Sequence, residues 1–186
     1  FLDRIEEDFE KREGLVFVGG FAHPPNADAV LWFASEIFPA IRRQIPDIQF
    51  YVVGSKVTDE IKALEQPGNG IIIKGFVSDE ELEAIYQQCR IVVVPLRYGA
   101  GVKGKVVEAI YNGAPIVTTS VGAEGIPEVE KTLAVADGAE EFADAVVNLY
   151  RDPERLKTLS GETQKYIRTH FSVDGAWEII KEDFSK

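Results

Sequence analysis

Six short runs of β-branched and apolar residues recur along this chain, and helical patterns separate nearly all of them. The runs are Leu15–Val18, Phe50–Val53, Ile71–Lys74, Ile91–Val94, Ile116–Thr118 and Leu133–Ala136. Each is apolar on both faces, as buried parallel strands are, and parallel strands need crossovers. The segments between them supply these. Ala27 to Ile45 carries an apolar face through Val30, Phe33, Ala34, Ile37 and Ile41, with Pro39 expected to kink or restart the helix. Thr58 to Leu64 reads as a shorter helix, and Ser78-Asp-Glu-Glu81 as a capping box opening one that runs to Gln88. Further helices are expected at Val102–Asn112, Ala139–Tyr150, Pro153–His170 and Val173–Phe184. This alternation predicts a doubly wound α/β domain with a mainly parallel six-stranded sheet, whose ligands bind beyond the carboxyl ends of the strands.

The stretch Pro95-Leu-Arg-Tyr-Gly-Ala-Gly-Val-Lys-Gly-Lys105 lies at one such end and opens the helix that stops at Gly113. A glycine-rich turn there exposes backbone N–H groups, and the helix end adds about half a positive charge. Arg97, Lys103 and Lys105 add full charges, and Gly99, Gly101, Val102 and Gly20 bring backbone close to the same place. An anion fits here, most often a phosphate. Glu108 lies one turn beyond Lys105, spaced to accept hydroxyl hydrogen bonds from a sugar whose phosphates sit at the helix end. That combination describes a nucleotide or nucleotide-sugar.

Two familiar motifs overlap the stretch, and neither holds. Gly99 to Gly104 spells G-x-G-x-x-G, but four residues separate it from its strand, and the next strand ends in Thr118-Thr-Ser120 rather than an acidic residue. Gly99 to Lys105 also begins a P-loop, yet Val106 stands where a Ser or Thr would hold Mg²⁺. Glycines chosen for turn geometry alone remain an alternative, though three cations around them argue otherwise.

At 186 residues and 45% hydrophobic content, the chain suits one core and one domain. A net charge of −11 disfavours nucleic acid and anionic membranes as partners and makes the local basic cluster conspicuous. The single cysteine, Cys89, excludes an internal disulfide and a cysteine-based zinc site, and reads as a small buried apolar residue. It fits a reducing compartment. No apolar run approaches the ~20 residues of a membrane span. The chain has no Met and begins Phe1-Leu-Asp, so it is expected to be a piece of something longer.

Other residues carry two readings each. His23 is either a phosphate or sugar contact or a loop imidazole packed on Pro24 and Pro25. Phe76 and Val77 either border a base or form a hydrophobic staple for the capping box. Glu124 either faces a sugar or is a solvated loop charge. Asn26 and Asp28 are expected to cap the first helix; Trp32, Trp177 and Phe38 read as packing residues, and His170 as a helix C-terminal residue. With no recognisable nucleophile–base arrangement, no D-x-D motif and two histidines, no metal is expected. Lys, Arg and the helix end would neutralise a leaving diphosphate instead.

Six pieces, in order, resemble the C-terminal, donor-binding domain of GT-B glycosyltransferases of the group 1, family 4 type. They are Val16-Phe-Val-Gly-Gly-Phe-Ala-His-Pro-Pro-Asn-Ala-Asp28, Gly75-Phe-Val-Ser-Asp79, Val94-Pro-Leu-Arg-Tyr-Gly-Ala-Gly101, Lys105-Val-Val-Glu-Ala109, Gly113-Ala-Pro-Ile-Val117 and Gly122-Ala-Glu-Gly125. The resemblance implies a Rossmann-like domain over residues 15–172. It implies a linker or helix over 1–14, and a terminal helix over 173–186 that returns to an absent N-terminal acceptor domain. It implies a retaining transferase of the hexosyltransferase type, inactive as a fragment, taking a nucleoside-diphosphate sugar without a metal. It would be cytoplasmic, with any membrane-surface contact made through the absent domain. Glu108 matches the second Glu of the E-x7-E motif, which binds the donor ribose; the first would fall at position 100, here Ala100. Two alternatives stay open: a nucleotide-sugar-binding or degenerate domain without catalysis, and one half of a nucleotide-sugar epimerase on the same scaffold.

Overall fold

The structure, a computed structural model, describes residues 9–126, 128 and 131–170. The expected terminal helix with Trp177, and most of the opening segment, lie outside the described residues. Six strands are present: β1 (Leu15–Val18), β2 (Phe50–Val53), β3 (Ile71–Gly75), β4 (Ile91–Val94), β5 (Ile116–Thr118) and β6 (Ala134–Val135). They form one sheet in the order β3-β2-β1-β4-β5-β6, and every neighbouring pair is parallel. The order reverses between β1 and β4. Such a switch point opens a crevice at the strand ends, because the two following loops leave in opposite directions.

The central strands β1 and β4 are buried throughout, as their unbroken apolar runs require. β3 departs from the expectation of two buried faces: past Ile71 it is half-buried to exposed. It is an edge strand, covered on one flank only, and the Glu65 carboxylate accepts from the Ile73 N–H at 2.8 Å, occupying an edge donor.

The first helical segment runs as α1 (Pro24–Trp32), a π-turn (Phe33–Ile37) and α2 (Phe38–Gln44). It starts three residues before Ala27 because Pro24 and Pro25 occupy its first positions, where their fixed φ suits a helix and their missing N–H costs nothing. Pro39 accounts for the π-turn. Its ring would clash with the carbonyl four residues back in a regular helix, and the wider turn, with Phe38 N–H donating to Phe33 O, avoids this. Phe33 packs with ring centroids 4.6 Å from Phe50, 6.0 Å from Phe38 and 6.0 Å from Phe142. These rings join the π-turn, α2, β2 and a later helix in one core.

The remaining helices are α3 (Asp59–Lys62), α4 (Asp79–Gln88), α5 (Gly104–Tyr111), α6 (Ala139–Tyr150) and α7 (Pro153–His170). The capping box at α4 is complete: Glu81 N–H donates to Ser78 Oγ at 3.2 Å, and Ser78 N–H to Glu81 Oε2 at 2.9 Å. α5 begins at Gly104 rather than Val102, because Lys103 is extended (φ −94°, ψ 111°) and serves as the N-cap. Its far end is fixed by Ser160 of α7, whose hydroxyl donates to Gly113 O at 2.6 Å.

Cys89 closes α4 and is 5% exposed. Burial pushes its thiol up to about 12, with Arg12 and Lys74 opposing more weakly. Alkylation at pH 8 should therefore be very slow in the folded protein and fast in denaturant. Rapid labelling of native protein would contradict this packing.

Candidate functional site

The loops that leave β1 and β4 meet at the switch point. Gly19 and Gly20 follow β1; a methyl group built on Gly19 would lie 2.9 Å from Asn26 Nδ2 and 3.1 Å from Lys105 Cε. The Lys105 stem thus crosses from the first turn of α5 to the end of β1. Lys103, the N-cap, gives α5 no side-chain capping bond, and the helix follows the loop at the carboxyl end of β4. Lys105 is half-buried, and Glu108, one turn further, is 9% exposed. The α5 start and Lys105 therefore lie beside the Gly19-Gly20 turn, with Glu108 one turn further along the helix.

Arg97 and Lys103 are both engaged within the protein. Arg97 is exposed and makes a two-pronged pair with Asp28: Nε donates to Oδ2 at 2.9 Å, and Nη2 to Oδ1. Its guanidinium also lies 5.3 Å from the Trp32 ring centroid. Hydrogen bonding to Asp28 raises the guanidinium pKa further, so its charge is permanent. Lys103 is 8% exposed; its ammonium donates to Gly99 O at 3.3 Å, to Gly101 O, and to Glu124 Oε2 at 3.3 Å. An ammonium has three protons. Lys103 therefore binds the glycine turn together, with Glu124, itself exposed, as its counter-ion.

Asn26 and Asp28 do not cap α1. His23 stands at the N-cap, exposed and without a side-chain capping bond, and two prolines leave little there to cap. Asn26 instead turns back, and its Nδ2 donates to Gly20 O at 2.8 Å. Phe76 is 82% exposed beside Gly75, whereas Val77 packs on the core. Phe76, Tyr98, Val102 and Val135 are the exposed large apolar residues among those described, and each ends or follows a strand at its carboxyl end.

Three contributors were not legible in the sequence. Tyr86 of α4 donates its hydroxyl to Glu108 Oε2 at 3.2 Å, in a buried setting. Thr119 donates to Leu96 O and accepts from Gly122 N–H at 3.1 Å, tying the β4 loop to the end of β5. Trp32 lies beneath Arg97. Among the described residues no group of three His, Cys, Asp or Glu could hold a metal ion. None of their helices is long and apolar enough to cross a membrane.

The family profile of glycosyl transferases group 1 matches residues 12–152, most of the chain. The chain belongs to the group 1 glycosyltransferases. A protein of Klebsiella pneumoniae, described as an uncharacterized 44.6 kDa protein in cps region, is 29% identical over 172 residues, covering 89% of this chain and 44% of that protein. Solved structures share the fold. A mutant of S. aureus TarM, in complex with fondaparinux, alpha-GlcNAc-glycerol and UDP, has a TM-score of 0.71 at 17% identity, over 94% of this chain and 36% of that one. Anabaena HepE, in complex with UDP and glucose, gives 0.69 at 18% identity, over 94% and 48%. The C-terminal domain of the group 1 protein LpcC from Francisella tularensis gives 0.67 at 19% identity, over 90% and 94%. This group 1 chain thus spans under half the length of the Klebsiella relative and of the first two structures.

Proposed function

We propose that this chain is the donor-binding half of a glycosyltransferase that takes its sugar from a nucleoside diphosphate. The observation that carries this is the uncapped start of α5 at the sheet's switch point, with Lys105 at that start and Glu108 one turn on. The diphosphate lies on the α5 N-terminus, against Lys105 and the backbone of Gly20, Gly99, Gly101 and Val102. Arg97 reaches it by exchanging Asp28 for phosphate. Glu108 accepts from the ribose hydroxyls, Phe76 and Val77 border the base, and His23 and Glu124 flank the sugar. When the bond between the sugar's C1 and the phosphate oxygen breaks, negative charge grows on the diphosphate, where Lys105 and the helix end already supply positive potential. No metal is needed for that neutralisation.

The acceptor site belongs to a second domain, in keeping with the share of longer relatives that this chain covers. In this reading the reaction retains configuration at C1, the sugar is a hexose, and the present chain alone transfers little. A binding domain without catalysis is the second reading, supported by Ala100 in the glycine turn, where a carboxylate contact to the sugar is missing. Transfer activity of the longer parent chain separates the two.

The test is calorimetry with the diphosphates of uridine, guanosine and adenosine, with and without a chelator. One of them should bind, equally well in both conditions. Loss of binding with the chelator would refute metal independence, and binding of none would refute the site. Lys105→Ala should weaken that nucleotide and inorganic pyrophosphate alike, by ~10-fold or more, the scale of a charge-assisted hydrogen bond.

A further inference from the structure

Tyr86 reaches Glu108 across 22 residues of sequence and is 1% exposed. Phenylalanine would fill the same space without a polar atom to satisfy, so burying a hydroxyl here is unfavourable unless its bond is used. The bond goes to the α5 carboxylate assigned to the ribose. Tyr86 is fixed from its backbone as well. Its carbonyl accepts from Arg12 Nη1 at 3.2 Å, and the Arg12 guanidinium lies 4.4 Å from the Phe9 ring centroid. Burial first, then the Glu108 charge and the hydrogen bond to it, hold the phenol well above its usual pKa. It therefore remains a proton donor at any physiological pH.

We infer that Tyr86 is a positioning residue for the donor ribose, acting through Glu108. A glutamate side chain has several freely rotating bonds, and fixing them on binding costs entropy. A carboxylate held beforehand by a donor from a different helix loses less when the ligand arrives. One oxygen is gripped by the phenol, and a carboxylate has about four acceptor positions in all, enough to receive sugar hydroxyls beside it. The inference rests on the proposed ribose role of Glu108, and the experiment separates the two.

Wild type and Tyr86→Phe are titrated with the best-binding member of the diphosphate panel, with its 2′,3′-dideoxy form, and with inorganic pyrophosphate. Wild type should prefer the ribose form by ~10–100-fold, as hydrogen bonds to a charged group do. In Tyr86→Phe that preference should shrink to about 3-fold or less while pyrophosphate affinity stays unchanged, since a carboxylate without the phenol's grip loses more freedom when the ribose binds. Glu108→Ala should abolish the preference in both backgrounds. A full preference in Tyr86→Phe would overturn the inference and leave the donor site standing. An equal loss for pyrophosphate would show a purely structural role and overturn it too. No preference in wild type would refute the ribose role of Glu108, and the inference with it.

Discussion

Glu108→Ala should weaken a nucleoside diphosphate by ~1.5–3 kcal/mol, the range for hydrogen bonds to a charged group, while leaving inorganic pyrophosphate nearly unchanged. The asymmetry follows from geometry, because Glu108 sits one turn past the helix end that takes the phosphates. The same substitution strands the buried Tyr86 hydroxyl without its acceptor. Leaving such a group unsatisfied costs about 1–3 kcal/mol of stability, and for a chain of this length each kcal/mol lowers Tm by about 2–4 °C. Calorimetry and thermal melting on one preparation read both effects. Equal losses for both ligands would remove Glu108 from the ribose.

Gly54→Ala should destabilise the fold by roughly 3 kcal/mol or more, the upper end for forcing atoms into a packed site. A methyl group there would lie 1.9 Å from the carbonyl oxygen of Gly19, a backbone atom that cannot swing aside. Gly19 N–H bonds to Val53 O at 3.0 Å, and Gly54 N–H to Gly75 O at 2.8 Å, so the ends of β1, β2 and β3 would have to part. Gly161 is the control with the opposite sign. It lies within α7 with nothing within 4 Å of a built methyl, so Gly161→Ala should stabilise by about 0.5–1 kcal/mol. Denaturant unfolding of the two variants tests both, and comparable midpoints would refute the packing at the strand ends.

The strands were legible because burial on both faces leaves a local mark. β1, β2, β4 and β5 span the residues their apolar runs define. Helix starts were less legible, since Pro24-Pro25 resembles a turn as much as a first helical turn, and Lys103 is extended only in the company of its carbonyl partners. At the site, residue types were readable and pairings were not. Arg97 and Lys103 resemble Lys105 in the sequence, yet Asp28 lies 69 residues from the first, and Glu124 lies 21 from the second. Nothing local marks Tyr86 as different from any buried aromatic ring.

Lys103 touches the carbonyl oxygens of Gly99 and Gly101. A trans peptide is flat, and its N–H points opposite to its C=O. By drawing those two oxygens towards a buried ammonium, the chain turns the amide hydrogens of Ala100 and Val102, both on exposed residues, the other way. The positive ends of both peptide dipoles then face away from the ammonium. A lysine that has no proton left to offer still decides the sign of the surface it supports.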